Sequence, residues 1–151
     1  MYDTIVVGTD GSKTATQAVI RAGELAGGSG ARLLIISAYR PVPEDRLRGE
    51  RAEAPPDMSY LVNSREDVDR ILEAAKEAAG NAGATDIVAT AVDAGAAEAL
   101  LDAAEKAAAS VIVVGSQGMT GAKRFLLGSV PNRIAHHAPC DVLIVKTDPS
   151  G

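Results

Sequence analysis

Three glycines at every third position follow directly on an apolar run. The run is Val111-Ile112-Val113-Val114, and it leads into Gly115-Ser116-Gln117-Gly118-Met119-Thr120-Gly121-Ala122-Lys123-Arg124. Glycine admits positive φ and lets a ligand come close to the main chain. Successive N–H groups in such a loop form a nest for an anion. Further on, Gly128-Ser129-Val130 opens a helical segment. A helix N-terminus offers unpaired N–H donors and the positive end of the macrodipole, Ser129 adds a hydroxyl, and Lys123 and Arg124 supply positive charge. Together these groups fit a polyphosphate. The spacing by itself describes equally well a loop with glycines at tight turns.

A second candidate is Gly8-Thr9-Asp10-Gly11-Ser12. It lacks the Gly-x-Gly-x-x-Gly dinucleotide fingerprint, and no Gly-x-x-x-x-Gly-Lys-Ser/Thr occurs, because Ala122 follows Gly121. An ionised Asp10 would repel phosphate here. It suits a hydrogen bond from a ribose hydroxyl or a base amino group, or a plain turn role ahead of the next helix. His136 and His137 are neighbours near a helix end and point in different directions, which disfavours a shared metal. Cys140, the single cysteine, precedes an apolar strand and reads as a small core residue. No metal site and no catalytic residue is assigned.

The elements that must position these residues alternate in kind. Short β-branched runs at 4–8, 33–37, 87–90, 111–114 and 142–145 suit strands covered on both faces. Alanine-rich segments at 12–26, 64–82, 96–108 and 130–138 read as helices. Ser12 is placed to cap the first helix and Gly27-Gly28 to end it, while Gly80 and Gly83 bracket the end of the second. Ser129 is placed to cap the last, with Pro131 in its first turn. A β-α-β-α-β-α-β-α-β order predicts one domain over 1–151, with an open parallel sheet and helices on both faces. In such sheets ligands bind beyond the carboxyl ends of strands, at the switch point. Ser37-Ala38-Tyr39, after the second strand, therefore joins the candidate segments. Residues 40–63 hold Pro41, Pro43, Pro55 and Pro56 and read as a long loop.

Composition narrows the function classes. Apolar residues make up 46% of the 151, enough for a core, yet Trp is absent and Phe occurs once, so no aromatic platform exists for single-stranded nucleic acid. A formal net charge of −5 opposes general binding to DNA or anionic lipid. One cysteine makes no internal disulfide, Met1-Tyr2-Asp3-Thr4 has no basic n-region, and no apolar stretch reaches bilayer length. The expectation is a cytoplasmic protein with no nucleic-acid or membrane partner.

Gly115, Gly118, Gly128 and Ser129 match the signature Gly, two residues, Gly, nine residues, Gly-Ser/Thr. With Val6-Val7-Gly8-Thr9-Asp10-Gly11-Ser12 at one end and Asp141-Val142-Leu143-Ile144-Val145-Lys146 at the other, the chain resembles the universal stress protein family, of the ATP-binding type, over nearly its whole length. The resemblance implies a Rossmann-like, adenine nucleotide alpha hydrolase-like sheet of order 3-2-1-4-5. It implies Gly8 and Asp10 at the adenosine end and backbone at Ala38 against adenine. Gly115, Ser116, Gln117, Gly118, Met119, Thr120 and Gly121 would wrap ribose and phosphates, and Gly128, Ser129 and Val130 would close on the phosphates. Relatives often carry Asp where Ser110 opens the fourth strand, a departure at the end away from this site. The expected function is an ATP-binding stress-response regulator, with Mg2+ as the nucleotide's companion, signalling to a protein partner. The alternatives are cyclic AMP binding and slow ATP hydrolysis. No general base stands near the expected γ-phosphate, so an enzyme is not expected. A homodimer through the last strand, residues 141–147, is expected from the resemblance and from the apolar edge it presents. Proline at Leu143 is expected to break it.

Overall fold

The computed structural model describes residues 2–39, 65–116 and 129–147. The 40–63 loop and the segment from Gln117 to Gly128 lie outside the described residues. The elements run β1 (Thr4–Gly8), α1 (Lys13–Ser29), β2 (Arg32–Tyr39), α2 (Arg65–Ala82), β3 (Asp86–Asp93), α3 (Ala96–Ala107), β4 (Val111–Gly115), α4 (Ser129–His137) and β5 (Asp141–Val145). The five strands form one sheet in the order β3-β2-β1-β4-β5, every pair parallel. The chain moves outward from β1 to β3, returns to the other side of β1 for β4, and ends at β5. The switch point therefore lies between β1 and β4.

The strands are continuously apolar because both faces are covered. Ile5, Val7, Leu33, Ile35, Val111 and Val113 pack with Val19 of α1 and Val68 and Leu72 of α2. Val6, Ile36, Ile112 and Val114 pack on the opposite face with Leu100 of α3 and Ile134 of α4. Each fully buried aliphatic side chain contributes about 1.5–3 kcal/mol. At the amino edge, Ser110 Oγ accepts from the N–H groups of Asp3 (3.0 Å) and Thr4 (3.4 Å). Ser110 thus ties the start of β4 to the start of β1, at the end of the sheet away from the carboxyl ends of the strands.

Several boundaries differ from the sequence reading: β2 continues through Ser37-Ala38-Tyr39 to its end at Tyr39, α4 starts at Ser129 itself, and two further differences bear on packing. Helix α1 does not end at Gly27-Gly28 but continues to Ser29 and stops at Gly30, which takes φ 66°. Gly23 and Gly27 are instead points of close approach. A Cβ at Gly23 would lie 2.7 Å from the Ala79 carbonyl oxygen, and one at Gly27 would lie 2.6 Å from that of Gly83. Strand β3 spans Asp86–Asp93, longer than the apolar core at 87–90. It pairs with β2 from Arg32–Asp86 to Tyr39–Asp93. Being an edge strand, it alternates in burial over Asp86–Ala91, with the apolar Val88 43% exposed.

Candidate functional site

The turn after β1 is held from several directions. Thr9 N–H donates to the Ile36 carbonyl at 3.0 Å, extending the β1–β2 pairing by one residue. Thr9 Oγ1 accepts from Gly11 N–H at 3.1 Å, and Asp10 Oδ1 accepts from Ser12 N–H at 2.9 Å. Gly11 has φ +83°, and a Cβ there would lie 2.9 Å from Ile71 Cγ1 of α2, so only glycine meets both demands. Ser12 then caps α1, its Oγ accepting from Ala15 N–H at 3.2 Å. The Thr14 hydroxyl, buried in the first turn, lies 3.2 Å from Ser12 Oγ. Asp10 is therefore a turn former, and it also borders a cleft.

This cleft opens at the carboxyl ends of β1, β2 and β4, between the first turns of α1 and the start of α3 and α4. Among its walls are Gly8, Asp10, Ala38, Gly115 and Val130, five of the residues singled out from the sequence. Gly8 leaves room for Leu100: a Cβ there would lie 3.1 Å from both Leu100 methyl carbons, which would have to give by a few tenths of an ångström. Leu100, Ile36, Val114 and Pro131 make the walls apolar, while Asp10, Ser12 and Thr14 supply a carboxylate and two hydroxyls. Among the described lining residues there is no lysine or arginine. Such walls accept a flat, weakly polar ring with hydroxyl or amino donors at its edge; they do not by themselves hold phosphates. Glu98 of α3 and Arg133 of α4 form an ion pair at 2.9 Å. Both are more than half exposed, so it adds no more than about 1 kcal/mol to the helix packing.

The remaining sequence candidates are placed as follows. Ser116 is turned toward β5. Its N–H donates to the Val145 carbonyl at 2.7 Å and its Oγ accepts from Thr147 N–H at 3.1 Å, and it is not among the cleft's lining residues. Ser129 opens α4. Gln117, Gly118, Met119, Thr120, Gly121 and Gly128 lie outside the described residues. Thr14, Leu100 and Pro131 line the cleft without having been singled out for it in the sequence, where Pro131 stood only as a helix first-turn residue. Leu100 and Pro131 look like ordinary helix-packing residues, and Thr14 sits two positions past a cap where a hydroxyl carries no signal of its own. His136 and His137 are exposed at the end of α4. Burial, and secondarily the Asp141 charge, push the Cys140 thiol above its ordinary pKa, which disfavours the nucleophilic thiolate. No helix of the described residues is long and apolar enough to cross a membrane.

The chain is similar to known proteins over nearly its full length. A family model described as the universal stress protein family matches residues 1–146. Universal stress protein Rv1636 of Mycobacterium tuberculosis is 41% identical over 146 residues, covering 97% of each chain. A crystal structure of a universal stress protein in complex with cAMP superposes with a TM-score of 0.74 at 38% identity, covering 97% of this chain and 98% of that one. The universal stress protein of Archaeoglobus fulgidus in complex with dAMP gives a TM-score of 0.68, covering 96% of this chain and 98% of its own; at 19% identity it shows the shared fold alone.

Proposed function

The chain belongs to the universal stress protein family, and from that membership we propose that it binds an adenine nucleotide, ATP in the first place, in the cleft between β1 and β4. The observation that carries the reading is the make-up of the cleft walls at the switch point. The walls at Gly8, Asp10, Ala38, Gly115 and Val130 offer an apolar slot with one carboxylate and no cation among the described lining residues. That suits a nucleoside. The glycines from Gly115 to Gly128 and the α4 N-terminus that follows suit the phosphates. Asp10 accepts a hydrogen bond from the ribose or the base amino group, and Ile36, Leu100 and Val114 exclude water from the base. Mg2+ accompanies the triphosphate and adds charge neutralisation there.

Cyclic AMP is the second reading, because the relative whose structure is 38% identical holds cAMP. The nucleoside contacts are common to both ligands; the phosphate segment decides between them. The protein acts as a nucleotide-dependent regulator in this reading, with Asp10, the carboxylate among the described lining residues, at the nucleoside end. The test is mass spectrometry of nucleotide released from freshly purified, denatured protein, with calorimetry of ATP, cAMP and GTP. Recovery or preferential binding of ATP supports the first reading, and cAMP alone the second. Equal affinity for GTP, or none for any nucleotide, defeats both. A turnover of ~1 s⁻¹ or faster, in the ordinary enzyme range, defeats the regulator reading.

A further inference from the structure

Ser37 is a hydroxyl in a core of aliphatic side chains, 2% exposed. Its neighbours Ile36 and Ala38 line the cleft, so strand alternation turns Ser37 to the opposite face, under α1 and α2. A buried hydroxyl is costly unless it is paired. Its Oγ–H donates to the Thr9 carbonyl at 2.8 Å. The preceding peptide plane is held as well, because Thr9 N–H donates to the Ile36 carbonyl at 3.0 Å. A peptide unit is rigid, so the two bonds fix both planes flanking Thr9 to β2. The second of those planes leads directly into Asp10.

We propose that Ser37 is a positioning residue for the cleft: by holding the Thr9 carbonyl it aims Asp10 at the ligand and sets the separation between Asp10 on one wall and Ala38 on the other. The ligand side of this inference rests on the nucleotide reading; the geometric side does not. The bond locks the start of a relay in which Thr9 Oγ1 accepts from Gly11 N–H and Asp10 Oδ1 accepts from Ser12 N–H. Without it, the Thr9–Asp10 peptide plane is held only by the turn's own bonds, and the Asp10–Ser12 bond is the first to loosen.

The experiment has two arms, run on the full chain with Ser37→Ala, and with Ser37→Cys as a near-isosteric weak donor that serves in both arms should the alanine variant not fold. Amide hydrogen exchange reads the geometry: Ser12 N–H exchanges about tenfold faster in the variant, the loss of one modest hydrogen bond, while α3 amides are unchanged. Calorimetry with ATP reads the ligand through a double-mutant cycle. Replacing Ser37 weakens binding about five- to tenfold beside Asp10, and less than about twofold in an Asp10→Ala background. Unchanged Ser12 exchange overturns the proposal, and so does an equal affinity loss in both backgrounds, which a merely structural role would give. Wild type that binds no ATP overturns the nucleotide reading, and the exchange arm then decides the positioning of Asp10 by itself.

Discussion

On the nucleotide reading, Asp10 serves two purposes with one carboxylate. Oδ1 accepts from Ser12 N–H and shapes the turn, and a carboxylate has further lone pairs for a ribose hydroxyl or an amino group. Asp10→Ala is therefore expected to lower affinity for adenosine-containing ligands by tenfold or more, about 1.5–3 kcal/mol for a charge-assisted bond. Affinity for inorganic triphosphate should fall less. Calorimetry with both ligands decides; the reverse pattern would put Asp10 beside phosphate. Gly11→Ala addresses the same turn through the backbone. With φ +83° and Ile71 Cγ1 2.9 Å from the new Cβ, it should cost about 1–3 kcal/mol of stability in urea denaturation; an unchanged midpoint would show that the turn adapts freely. At this scale, residues at or just past the carboxyl end of a strand were legible as cleft lining, because position relative to that end of the sheet carries the signal. Gly8, Asp10, Ala38 and Gly115 are of that kind. Ser37 lies inside β2, where the sequence offers nothing beyond its place near the strand's carboxyl end. Its task is set by a carbonyl 28 positions away in sequence, which no local pattern encodes.

The elements were legible in type and order because their periods are set by burial on both faces, and the sheet order followed from the glycine signature's resemblance. Boundaries were read from local punctuation, and there tertiary packing overrode the signal. Gly27-Gly28 has the composition of a helix stop, yet α1 passes through both to Gly30. Helix α2 approaches so closely that only glycine fits at 23 and 27, four residues apart on one helix face. The two adjacent glycines should consequently respond in opposite senses to the same change. A Cβ at Gly28 would meet nothing within 4 Å, so Gly28→Ala should stabilise by about 0.5–1 kcal/mol through helix propensity. Gly27→Ala gains the same propensity but drives a methyl to 2.6 Å from the Gly83 carbonyl oxygen, and overpacking of that kind costs about 1–3 kcal/mol. Thermal or urea unfolding of the two variants checks this. If both stabilise, the α1–α2 contact is looser than the backbone indicates.

At the scale of the whole molecule, the sheet ends in two open edges among the described residues, β3 and β5, and a second copy of the chain is expected on β5. An edge strand presents unpaired N–H and C=O groups, and Ile144 on β5 is 41% exposed. Antiparallel pairing of β5 with its own copy would satisfy those groups in a two-fold interface and cover Ile144. The structure corrects the choice of probe. The Val145 carbonyl accepts from Ser116 N–H, so residue 145, and by alternation 143 and 141, turn their backbone groups inward to β4. Proline at Leu143 would then damage the β4–β5 ladder rather than the open edge. Val142 and Ile144 turn their N–H groups outward, and proline is tolerated on an edge strand where its nitrogen faces away from the sheet. Ile144→Pro should accordingly keep the fold, by circular dichroism, and convert a dimer into a monomer in sedimentation at tens of micromolar. A wild type that is monomeric at that concentration would refute pairing through β5, and a folded Ile144→Pro variant that stays fully dimeric would place the contact on another surface.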